Sequence, residues 1–109
     1  MQAVLNYPKI AVIRPQGSLN AANALEFERD MTTALAQNGI SMLVVDLAGV
    51  EFLDSAGLMA LLSTHKLALT LGRGFRLCTV APSIRIIFEL TQLDRVFEIL
   101  DSEVELAAT

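Results

Sequence analysis

The sequence predicts an α/β fold, a mixed sheet with an opening antiparallel hairpin and a parallel portion, with helices packed on it in the order β-β-α-β-α-β-α-β-α. Three observations carry that prediction. Residues 41–47 (SMLVVDL) are a nearly unbroken apolar run rich in valine and leucine, the mark of a strand covered on both faces. The segments on either side of it repeat apolar residues at helical spacing. Gly39, Gly49, Gly72 and Pro82 punctuate the boundaries between the runs.

Taken in order, residues 3–7 (AVLNY) and 10–15 (IAVIRP) form two strands joined through Pro8 and Lys9, a connection short enough for an antiparallel hairpin. In the next segment Ala24, Phe27, Met31 and Leu35 recur at helical spacing. Asn20 or Asn23 suits its cap, Glu26 and Glu28 favour its first turns, and Gly39 closes it. Residues 41–47 are the central strand. A second helix runs from Gly57 to Gly72, with Leu58, Leu61, Leu62, His65 and Leu69 as its apolar stripe. Residues 75–81 (FRLCTVA) form another strand. Pro82 suits the first turn of a helix through Leu90 that turns Ile84, Ile87 and Phe88 inward. After a tight turn at 91–94 (TQLD), residues 95–100 (RVFEIL) give an edge strand. Residues 101–109 form a final helix capped by Asp101 or Ser102.

The 109 residues suffice for one domain, spanning 1–109, with a single hydrophobic core. With 53% apolar and 18% charged residues, the chain is not of the disordered type. The formal net charge is −4, the acids are spread along the chain, and the Lys/Arg cluster of a nucleic-acid-binding face is missing. No apolar run approaches the roughly 18 residues of a membrane span. The N-terminus lacks the layout of a signal peptide, so the expectation is a soluble cytoplasmic protein with no membrane partner. The one cysteine, Cys78, excludes an intrachain disulfide and reads as a buried, reduced thiol.

Polar residues break into this apolar sequence at residues 53–58 (LDSAGL). As a nucleophile, Ser55 would need a base. The one histidine, His65, is ten residues further along the same predicted helix, about 15 Å of rise away. Leu53 also stands where a nucleophile elbow has its first glycine. His65 reads instead as a satisfied, partly buried residue of the apolar stripe. Metal binding lacks a second histidine or a cysteine pair. Asp46, Glu51 and Asp54, near the end of the central strand, read as solvated loop acids. Glycine-rich phosphate and dinucleotide motifs are missing, and residues 72–74 (GRG) are a helix stop and turn. No catalytic residue, metal or cofactor is therefore expected.

Two roles for Ser55 remain. It can cap the helix, with Asp54 placing negative charge near the positive end of the dipole. Gly57 is then unexplained, since alanine serves a plain helix better, and it reads as room for something to approach. Alternatively Ser55 is a regulated hydroxyl. A phosphate there would meet helix-end amides and would repel a partner that pairs with Asp54 or packs over Gly57.

The stretch VVDLAGVEFLDSAGLMALL resembles the signature of the STAS domain (sulphate transporter and anti-sigma factor antagonist) in its small bacterial single-domain form. That signature is an apolar strand, Asp-Leu, a short turn, and Asp-Ser-x-Gly-Leu entering a helix. GSLNAANALEFE is similar to the family's Gly-x-Leu-Asp-x-x-x-Ala segment, and RLCTVAPSIRIIFELTQLDRVFEIL resembles its closing run. The resemblance covers nearly the whole chain. It implies an anti-sigma factor antagonist, a partner-switching phosphoprotein of bacterial transcription regulation and not an enzyme. Such a module engages an anti-sigma factor serine kinase and is switched off by phosphorylation of Ser55, with a serine phosphatase as second partner. Carried over by position, Asp54, Ala56, Gly57 and Leu58 form the docking surface, with Gly17, Ser18, Leu19 and Asn20 in the neighbouring loop. Asn20 stands where the family usually has Asp, which turns a charge-assisted contact into an ordinary one. A monomer or weak homodimer is expected. The alternative is a STAS scaffold subunit of a signalling assembly, or a soluble regulatory component of an anion-transport system.

Overall fold

A computed structural model describes residues 9–101. The chain runs β1 (Lys9–Ile13), β2 (Gly17–Leu19), α1 (Ala24–Ala36), β3 (Ile40–Asp46), β4 (Val50–Leu53), α2 (Ser55–Leu71), β5 (Gly74–Cys78), α3 (Pro82–Leu90), a 3-10 turn (Leu93–Arg95) and β6 (Glu98–Leu100). Strands β1, β3, β5 and β6 form one sheet in the order β1-β3-β5-β6, every neighbouring pair parallel. Strands β2 and β4 form a separate two-stranded parallel ribbon. The result is the expected α/β architecture, with three helices and a mainly parallel sheet among the described residues. The first strand of the predicted hairpin (3–7) lies outside the described residues, as does the last helix beyond Asp101. Among the described residues, no helix is long and apolar enough to cross a membrane.

Leu43, Val44 and Val45 of β3 are all fully buried. Successive side chains of a strand point to opposite faces, so both faces of β3 are covered, as its unbroken apolar run requires. Helix α1 turns Phe27, Met31 and Leu35 inward and packs against α2, β1 and β3. Helix α3 starts at Pro82 and buries Ile84 and Phe88.

Three boundaries or faces differ from expectation. Strand β5 ends at Cys78 rather than at Ala81, because Thr79 takes a left-handed conformation (φ 56) that a β-branched residue rarely adopts. The Thr79 N–H donates to the Leu100 carbonyl (3.1 Å), which ties that turn to β6. The inner face of α2 carries Gly57, Leu58, Ala60, Leu61, Thr64 and Ala68, whereas Leu69, placed on the predicted stripe, is 67% exposed. Hydrophobicity alone does not mark the face of a helix that is apolar nearly all round. The small residues mark it instead, because they let neighbours approach closely. The third difference is β2 and β4 themselves, two strands of three and four residues where loops were expected.

The C-terminal ends of α1 and α2 are stitched together. Gly72, left-handed at φ 68, ends α2 by donating to the Ala68 and Leu69 carbonyls. This turn throws Arg73 towards α1, where its Nη1 donates to the Leu35 and Gln37 carbonyls, the latter at 2.8 Å. A cation thus satisfies terminal carbonyls at the negative end of the α1 dipole. Replacing Arg73 by Ala is expected to lower the unfolding free energy by about 1–3 kcal/mol, as for other bonds to a charged donor. Urea denaturation measures this, and a change within error would contradict the stitch.

Candidate functional site

The site is built where the β2–β4 ribbon ends. Leu19 and Leu53 are register partners, and both side chains are buried. The residues that follow them, Asn20 and Asp54, therefore emerge side by side at the carboxyl ends of two parallel strands. The Asp54 N–H donates to the Leu19 carbonyl (3.1 Å) and carries the ladder one step further. In this way the loop at 17–20 and the LDSAGL stretch, far apart in sequence, form one surface.

Asp54, not Ser55, caps α2. It is extended (φ −98, ψ −173), and its Oδ1 accepts from the amides of Ala56 (2.9 Å) and Gly57 (3.1 Å). Its carbonyl accepts from Leu58 (3.0 Å). Both residues are good caps, and the bond from Asp54 to Leu19 fixes which of them stands at the strand end. Ser55 is consequently the first helical residue, exposed and free of capping duty. The amides expected to receive a phosphate are already taken by Asp54. A phosphate on Ser55 would face solvent beside a carboxylate.

Gly57 is explained from inside the protein. A Cβ there would lie 2.5 Å from Leu53 Cδ1 and 2.8 Å from the Leu19 carbonyl oxygen. The glycine makes room for β2, and the expectation that it clears the way for a partner is corrected accordingly.

The neighbouring loop is held by two amides. Asn23 Nδ2 donates to the Ser18 carbonyl (2.7 Å), and Asn23 Oδ1 accepts from the Asn20 N–H (2.9 Å). Asn20 Oδ1 accepts from the Ala22 N–H (2.9 Å). Asn23 stands at the N-cap position of α1, as expected of one of the two, but its side chain makes no bond to the helix amides. With its oxygen bonded to the Ala22 amide, Asn20 has its NH2 group left to offer. An aspartate at that position would offer an acceptor instead.

Of the residues expected in this surface, Ser55 is exposed, while Asp54, Ala56, Gly17, Ser18 and Asn20 are half-buried. Leu19, Gly57 and Leu58 are buried and shape the surface from beneath. Sequence reasoning missed two apolar residues, Met59 at 57% exposure and Phe52 at 53%. Met59 stands four residues after Ser55, hence on the same helical face, and that spacing was the available signal. A cleft of about 340 Å³ opens nearby, lined by Arg14, Gln16, Asn23, Glu26 and Asp30 among others. The acids once grouped by sequence have separate local settings. Asp46 Oδ1 accepts from Ala48 N–H (2.9 Å), Asp54 caps α2, and Glu51 is exposed on β4. No group of His, Cys, Asp and Glu among the described residues is arranged to hold a metal.

These contacts separate packing from capping. Gly57→Ala is expected to destabilise the fold by about 1–3 kcal/mol through overpacking. Asp54→Asn is expected to stay within about 0.5 kcal/mol of the parent, because Asn caps as well as Asp. Thermal melts of the two variants check both, and a neutral Gly57→Ala would contradict the close approach to β2.

The fold has counterparts among known proteins. The sequence profile of the STAS domain matches residues 2–106. The chain is 30% identical over 93 residues to BtrV of Bordetella bronchiseptica, which carries the name of an anti-sigma factor antagonist; the match covers 85% of this chain and 79% of that protein. An anti-sigma factor antagonist from Mycobacterium paratuberculosis superposes with a TM-score of 0.79 at 30% identity, covering 91% of this chain and 84% of the other. The fold is also that of Bacillus SpoIIAA, an anti-sigma factor antagonist, in its unphosphorylated form (TM-score 0.77, 20% identity, 97% and 91% coverage) and its phosphorylated form (0.70, 20%, 98% and 96%). The protein belongs to the STAS domain family.

Proposed function

We propose that this protein is a cytoplasmic, single-domain anti-sigma factor antagonist. It engages an anti-sigma factor serine kinase, is switched off when that kinase phosphorylates Ser55, and is reset by a serine phosphatase. The observation that carries the reading is the division of labour at the start of α2. Asp54 caps the helix, so the Ser55 hydroxyl stays exposed with no structural task. Two relatives named as anti-sigma factor antagonists at 30% identity support it, and a protein of the same fold is known in a phosphorylated form.

The chemistry is transfer of the γ-phosphoryl group of ATP to Ser55 Oγ, with the hydroxyl proton passing to a base of the kinase and ADP leaving. The product adds about −1.5 to −2 charges at neutral pH. Asp54 holds the nearby amides, so a partner closing over phosphorylated Ser55 would have to desolvate two adjacent anionic groups. Docking is lost while the fold is untouched. The face includes Asn20, Asp54 and Ala56, and Phe52 and Met59 supply its apolar anchors. Asn20 offers a donor and so selects a partner with an acceptor opposite it. The protein acts as a monomer or weak homodimer.

Ser55→Ala is expected to abolish labelling by the partner kinase with radioactive ATP, and a labelled Ser55→Ala would overturn the site. Ser55→Asp is expected to weaken kinase binding by about tenfold or more, a difference of at least 1.4 kcal/mol, read by calorimetric titration. Equal affinity would count against the switch. Met59→Lys is expected to weaken binding with its melting temperature unchanged; unaltered affinity would remove Met59 from the interface.

A further inference from the structure

At the other end of α2 from Ser55, a cleft of about 220 Å³ opens between the helix and the β5–β6 pair. We propose that this cleft binds a small organic monocarboxylate with a short apolar body. His65, Leu69, Arg73, Phe75, Arg76 and Val96 carry the argument.

The charge comes first. Two guanidiniums and one carboxylate, Glu98, line the cleft, which leaves one positive unit in a chain of formal charge −4. Arg76 Nε pairs with Glu98 at 2.9 Å, and its Nη1 donates to the Phe75 carbonyl at 3.1 Å. Arg73 Nη1 is taken by the end of α1. Nη2 of both arginines and Nε of Arg73 remain as donors with no acceptor among the described residues.

The histidine is the second observation. Its Nδ1 is buried and has no hydrogen-bond partner, and its ring stands edge-on to Phe75 and Phe97, with centroids 5.9 and 5.7 Å away. The expectation of a satisfied histidine is thus corrected. A leucine would fill this position without leaving a buried nitrogen unpaired, which is unfavourable. The same ring lines the cleft beside its guanidinium donors.

The walls decide what kind of anion fits. Leu69 and Val96 are 67% and 42% exposed, and Phe75 is buried beneath. Inorganic anions would leave these apolar walls in water, whereas a carboxylate with a hydrocarbon body meets donors at one end and covers the walls with the other. One surplus positive unit matches a monoanion, and a guanidinium can hold a carboxylate by two parallel bonds.

Sodium benzoate, its uncharged counterpart benzamide and sodium phosphate are suitable probes, titrated into the full chain and followed by amide NMR shifts. Benzoate is expected to give saturable shifts centred on Leu69, residues 73–76 and Val96, with benzamide and phosphate at least about tenfold weaker. Arg76→Gln is expected to abolish the benzoate response. His65→Leu is expected to weaken it while leaving the melting temperature the same or higher, which a purely structural histidine would not do. Absence of saturable benzoate shifts, shifts elsewhere, equal binding of benzamide or phosphate, or an unaffected Arg76→Gln would each overturn the proposal. If His65→Leu fails to fold, that too counts against it.

Discussion

The close approach of α2 to β2 is the constraint on which the rest of the site depends. Gly57 lies so near the Leu19 carbonyl that a single methyl group would come within 2.8 Å of it. Because the helix starts against the ribbon, Asp54 can extend the β2–β4 ladder through its N–H while capping α2 with its side chain and carbonyl. One residue thereby ends a strand, begins a helix and joins two distant segments. The cap in turn determines what the next residue is for. Ser55 inherits an exposed position with its neighbouring amides already satisfied.

On the proposed function, this arrangement would separate stability from regulation within two adjacent residues. A serine that capped its own helix would couple modification to helix integrity, since a phosphate would displace the capping bond. Here the structural load falls on Asp54 and Gly57, and the Ser55 hydroxyl is left exposed. Met59 one turn along and Phe52 on β4 would give the proposed docking face apolar area, while the Asn20 amide, its oxygen bonded to Ala22 N–H, would give it a donor.

Much of the fold was legible because single residues dictate it. Leu43, Val44 and Val45 announced a strand covered on both faces, Phe27, Met31 and Leu35 an inward stripe, Pro82 a helix start and Gly72 a helix end. The unread parts all depend on partners distant in sequence. Strands β2 and β4 are too short to show periodicity and exist through each other. Thr79 has strand propensity, yet it turns left-handed and bonds to Leu100. At the site, LDSAGL was visible as an anomaly and Gly57 as its oddest member. Its cause was hidden because Leu19, the residue that excludes a side chain, lies in another strand. The choice between Asp54 and Ser55 as cap turned on that same strand.

In the proposed function Ser55 carries a signal without carrying the fold. Its most direct test is an amide NMR spectrum and thermal melt of protein phosphorylated stoichiometrically on Ser55, paired with titration against the partner kinase. Shifts confined to the neighbourhood of Asn20 and residues 52–59, an unchanged melting temperature, and loss of kinase binding are expected. Shifts spread through the sheet, a lowered melting temperature or undiminished binding would contradict it.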